Sequence, residues 1–250
     1  MTVPELAPPS TTARPEAVEP VGGVAAFVEL LQRPEQALAR MLGPSSTSTI
    51  VSLLVGTLLC LAAYGAAAGF FQGDVQIAVS GMKAPLIVGM SVLLCAPSLF
   101  VFASLTGARL SGRRFIGLLA GFCGMLAMLF IGLLPITWLF SVSTHSLHFL
   151  TWLHLLVWLV ALFFGLRYLA RGLEDARTRS VLAVWALVLF FVGLQVATYL
   201  RPVLWRAEGA PLFESGKKLF TAHLGSVIDY DEAVRAAASK VAEEQAAERK

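Results

Sequence analysis

Five long apolar runs organise the chain. They cover about residues 50–71, 84–105, 115–137, 147–170 and 181–200. Each is long enough to cross a bilayer, since about 20 apolar residues suffice for a helix. The pattern predicts an all-α polytopic membrane protein, a bundle of five transmembrane helices. Pro85 marks the start of the second run, Pro97 should kink it, and the third ends near Pro135. Before the first run, residues 23–44 place Phe27, Leu30, Leu31, Leu38, Met41 and Leu42 at helical spacing. Pro34 breaks this segment and starts its second half, because proline cannot donate to the preceding turn and suits the first helical position. This N-terminal amphipathic helix either lies along the membrane interface or packs on its own bundle. Residues 1–22 are proline-rich and read as a disordered cytoplasmic lead rather than a signal peptide, which would begin basic and turn apolar. Residues 201–250 read as a charged extramembrane tail, helical from about Asp229, with Val234, Ala238 and Val241 on one face.

Composition narrows the class. Hydrophobic residues make up 57% of the 250 and charged residues 14%, against about 25% charged in soluble domains. A soluble globular enzyme, a disordered chain and a disulfide scaffold are excluded. The net charge of +3 comes without a dense basic run, so nucleic acid is not an expected partner. Cys60, Cys95 and Cys123 lie inside apolar runs without metal-type spacing and read as small buried hydrophobes.

Basic residues in short loops set the orientation. Arg109, Arg113 and Arg114 follow the second run, and Arg167, Arg171, Arg177 and Arg179 surround the end of the fourth. With Arg33 and Arg40 they make nine, against five on the other side: Lys83, placed in the loop before the second span, and Arg201, Arg206, Lys217 and Lys218. The arginine side is expected to be cytoplasmic, with the N-terminus inside and the C-terminus outside. Trp138 and Tyr199 should mark one interface, Tyr168 and Trp185 the other.

Candidate chemistry is sparse. His145, His148 and His154 cluster at the outer end of the fourth span. At about 100° per residue, His145 and His154 point in opposite directions, so the three cannot share one metal from a straight helix. Interfacial bonding to backbone or water, with His154 bonded to a neighbouring helix, is the competing reading. His223 in the tail lies on the same side. No Asp, Glu, Lys or Arg falls mid-span, which counts against ion-coupled transport. Ser91 or Ser98 with His154 would make a serine–histidine pair, but no hydrolase motif supports it. Catalytic, cofactor and metal sites are therefore expected to be none. Helix packing has clearer signals: Gly65 with Gly69, Gly117 with Gly121, and Gly193 with Ala197. Small residues four apart let helices approach closely, within one bundle or between copies. Arg109, Arg113 and Arg114 are candidates for anionic-lipid contact as well as for orienting the chain.

Several strings resemble a family of uncharacterised bacterial multi-spanning proteins. They are Lys83-Ala84-Pro85-Leu86, Pro97-Ser98-Leu99-Phe100-Val101-Phe102, Gly107-Ala108-Arg109-Leu110, Arg171-Gly172-Leu173 and Leu200-Arg201-Pro202, within residues 80–220. The resemblance implies a fold and transfers no catalytic or ligand residue. The architecture is also similar to Yip1-like membrane proteins, in which a cytoplasmic segment precedes five spans. That likeness rests on Arg33-Pro34 and its following helix, and implies membrane organisation or assembly partners. The charged tail departs from the short Yip1-like end.

These readings converge on a non-enzymatic protein of the bacterial inner membrane. Its expected role is scaffold or accessory subunit, with membrane lipids and a protein partner or a second copy as partners. A passive channel or a lipid or small-solute carrier is the alternative.

Overall fold

The computed structural model describes residues 24–42, 46–70, 75–107, 110–144, 146–173 and 176–200, with backbone only at 42, 46, 147 and 176–180. The expected N-terminal lead and the C-terminal tail with its helix lie outside the described residues. Among those described, the chain is all-helical: α1 Val24–Gln32, α2 Pro34–Leu42, α3 Ser46–Gly69, α4 Val75–Leu105, α5 Gly112–Ser143, α6 Leu147–Gly172 and α7 Ala176–Tyr199. Five of these, α3 to α7, are long and apolar enough to cross a membrane. Helices are the favoured solution there, because lipid offers no partner to an open backbone N–H or C=O.

Two spans extend further than their sequence suggested. α4 begins nine residues before the expected 84, at Val75, so Lys83 is a helical residue and not a loop residue. Pro85 sits inside α4 with Pro97. Likewise α5 continues past Pro135 to Ser143. A proline removes one backbone donor but leaves the flanking apolar residues able to stay helical, so it is not a reliable terminator in a membrane segment.

Span packing forms a circuit. α3 packs on both α4 and α5, α5 on α6, and α4 on α7, while α6 meets α7 more sparsely. Leu53, Leu61, Phe122, Leu126, Phe130 and Leu162 form part of the shared core. Trp185 is fully buried, and its indole Nε1 donates to the Cys95 carbonyl at 2.9 Å, tying α7 to α4. Tyr168 is also buried. Neither faces headgroups, contrary to the sequence expectation, because each fills a notch inside the bundle. Trp138 and Tyr199 are exposed.

The break between α1 and α2 falls at Arg33-Pro34. The Arg33 carbonyl accepts from the backbone N–H of Gln36 and Ala37, starting α2. An ion pair between Glu29 and Arg40, 3.1 Å, clamps the two short helices. Both dock on the bundle. Phe27 lies over Gly56, Leu30 reaches Leu53's neighbour Gly124, and Met41 covers Gly117. As α1 runs forward its contacts on α3 run backward, from Gly56 toward Leu53, so α1 descends antiparallel to α3. Phe27 meets α3 about 15 Å along its axis from Ser46, at 1.5 Å per residue. Of the two sequence alternatives, packing on the bundle is what the described contacts display.

Candidate functional site

Three buried polar residues, Gln76, Ser80 and Lys83, gather where the end of α3 meets the start of α4. Gly65 and Gly69 have no side chain, and α4 uses that space. A methyl at Gly65 would collide with the Ser80 carbonyl and the Ala84 Cβ, and one at Gly69 would lie 2.8 Å from the Gln76 carbonyl. Gly81 opposes Ala62 and Ala66 from the other side. This close approach encloses Gln76, Ser80 and Lys83, which are 4%, 0% and 2% exposed. Gln76 Nε2 donates to Ser80 Oγ at 3.3 Å, one turn away on α4. Lys83 is itself engaged in an interaction rather than free. The expectation that Lys83 lies in the loop before the second span is therefore corrected. Lys83 lies inside α4, about 12 Å from Val75 by helical rise.

Tyr64 precedes Gly65 and faces the other way. Its ring lies 4.7 Å from that of Phe130, and its Oη is 2.7 Å from His154 Nδ1 on α6. Only one proton can occupy that hydrogen bond, so its direction fixes the histidine tautomer. In either case His154 Nε2 is buried without a hydrogen-bond partner among the described residues. The pair joins α3 to α6 across the sequence and supplies a polar contact in an otherwise apolar layer.

The other histidines do not join it. His148 Nε2 accepts from Trp152 Nε1 at 2.9 Å, one turn along α6. His145 and His223 lie outside the described residues. Among the described residues no group of three metal-type side chains converges. Nor, among the described residues, does a serine hydrogen-bond to His154. Ser91 Oγ donates to the Ile87 carbonyl at 2.6 Å, and Ser98 Oγ to the Cys95 carbonyl at 2.7 Å, both within α4.

The other small-residue pairs are also occupied within the chain. Gly117 receives Met41, Gly121 receives the hydroxyl end of Tyr168, and Gly193 receives the Trp158 ring of α6 with Ser91 Oγ beyond it. Ala197 is half-buried on α7. The α5 glycines thus admit side chains rather than a helix backbone; the spacing of the pair does not distinguish these uses.

The opposite end carries the arginines. Ser111 caps α5, its hydroxyl accepting from the Arg114 backbone N–H at 3.3 Å. The Arg114 side chain reaches across to the Gly172 carbonyl at 3.1 Å, satisfying a carbonyl at the end of α6. Arg113 is exposed, and Arg109 lies outside the described residues. No family model matches this chain, and neither do any curated protein or solved structure.

Proposed function

We propose that the protein is a non-enzymatic scaffold or accessory subunit of an assembly in the bacterial inner membrane, with its arginine-bearing end cytoplasmic. The observation that carries this reading is how the span hydroxyls are used. Ser91, Ser98, Thr137, Ser141 and Thr198 each donate to a carbonyl of their own helix. Such groups turn onto their own helices, and among the described residues the core around them is mostly Leu, Phe, Ala and Met, with the Thr49 and Thr57 hydroxyls of α3 buried without a partner. The outward faces of α6 and α7 remain broad and apolar, with Leu156, Phe163, Leu187 and Phe191 exposed. Those faces, rather than the glycine pairs already filled from within, are where a partner helix would pack. The orientation is supported by Arg33, Arg40, Arg113, Arg114 and Arg171 standing together at one end.

Copurification in polymer-bounded native lipid discs tests the reading. A protein recovered in stoichiometric amount, and lost when Leu187 and Phe191 are changed to Asn, is the expected result. A homogeneous particle containing lipid alone would overturn it.

A second reading, a carrier for lipid or a small solute, is favoured by Lys83, Gln76 and Ser80. Ionisable groups inside spans commonly mark a substrate path. Solute flux into vesicles containing the purified chain, abolished by Lys83→Met, would favour this reading over the first.

A further inference from the structure

The arginine-bearing end holds a recess that neither functional reading uses. Gln32, Arg33, Pro34, Glu35 and Gln36 from the α1–α2 junction and Arg171 from the last turn of α6 line a space of about 400 Å³. Both arginines are exposed. Arg33 makes a long contact, 3.4 Å, with Gln36 Oε1. Arg171 pairs with no carboxylate among the described residues, where the ion pair found is Glu29 with Arg40. Glu35 is the acid of the lining, and it sits in the first turn of α2, where the helix N-terminus stabilises a carboxylate. Among the described lining residues, two guanidiniums stand against one carboxylate, and guanidinium forks suit phosphate oxygens.

An apolar stripe leads away from this recess. Leu31, Val28 and Val24 are 53%, 42% and 79% exposed and recur at helical spacing along one face of α1. Because α1 is antiparallel to α3, the stripe starts at Leu31, next to the lining residue Gln32 at the arginine-bearing end, and runs down the bundle toward the Gly56 level. A cationic recess at the top of an exposed apolar track has the shape of an amphiphile with an anionic head.

We propose that the recess and stripe form a site for one anionic glycerophospholipid. Its phosphate lies between Arg33 and Arg171, and an acyl chain lies along Val28 and Val24. This site is separate from Arg113, whose side chain does not line the recess.

The full-length chain in lipid discs tests this, with phosphatidylglycerol titrated into a phosphatidylcholine background and bound lipid counted by native mass spectrometry. The double variant Arg33→Gln, Arg171→Gln is expected to bind phosphatidylglycerol about thirtyfold more weakly, given the usual strength of a basic residue against an anionic headgroup. Arg33→Lys, Arg171→Lys should recover part of the loss, and an unchanged melting temperature in pure phosphatidylcholine discs shows that each variant is folded. Equal retention by wild type and the double glutamine variant would overturn the proposal. So would displacement of the lipid by millimolar inorganic phosphate, which would assign the recess to a free anion.

Discussion

At the arginine-bearing end, Arg33, Arg113 and Arg171 hold their charges at the surface, and Arg114 satisfies a helix-terminal carbonyl. At the opposite end, Gln76, Ser80 and Lys83 are drawn inside against α3, and Tyr64 is bonded to His154. The two ends contain similar kinds of residue in different company. At the first, Arg33, Arg113 and Arg171 are open to solvent, so the fold depends less on them than on Arg114. At the second, the glycines of α3 bring a backbone so close that polar side chains have only protein for partners. Polarity there belongs to the packing, and altering it should cost stability.

The comparison can be broken most directly at Gly65. Gly65→Leu would push α4 off α3 and open the enclosure around Ser80 and Lys83. We expect a loss of about 3 kcal/mol, the upper range for overpacking, seen as a large drop in melting temperature in detergent. A melting temperature close to wild type would mean that α4 does not approach α3 as described. Tyr64→Phe is subtler. It removes one hydroxyl and leaves His154 without the 2.7 Å bond. An effect of about 1 kcal/mol is expected, the usual net value of such a bond, and a His154 imidazole NMR signal that changes between wild type and variant would locate the cause. Arg113→Gln, at the other end, should change the melting temperature by less than about 0.5 kcal/mol equivalent, as exposed substitutions do. If it destabilised as much as Tyr64→Phe, the contrast between the ends would fail.

The five spans were legible because lipid imposes a minimum apolar length that few other constraints produce. Their ends were less so. Val75 to Met82 mixes Gln76 and Ser80 with apolar residues, and Pro85 imitates a helix start, so the first turns of α4 read as a loop. With the helix start read at Pro85, Lys83 falls in that loop, yet a lysine can be enclosed when a neighbouring helix comes close enough. The Gly65–Gly69 spacing was visible, but not what approaches it, since that depends on α4 lying alongside. Tyr64 and His154 stand 90 positions apart and carry no joint signal in one sequence. Trp185 looked like an interfacial aromatic because its composition fits that role. Its hydrogen bond to Cys95, which makes burial tolerable, exists only in the folded bundle.

The length of α4 has one more consequence. Its 31 residues extend about 46 Å, whereas the hydrocarbon layer is about 30 Å thick. To fit entirely within that layer it would have to lean by about 50°, more than the roughly 40° that membrane helices reach. Part of it must therefore stand outside that layer, about 16 Å if upright, shared between its two ends or gathered at one. In contrast, the apolar stretch of α7, 19 residues from Val181 to Tyr199, is barely as long as the layer is thick. One bundle thus contains a helix that is too long and another with no length to spare. Thinning the bilayer would lift more of α4 out of it and thickening would strand the ends of α7, so membrane thickness itself acts as a load on the contact between them.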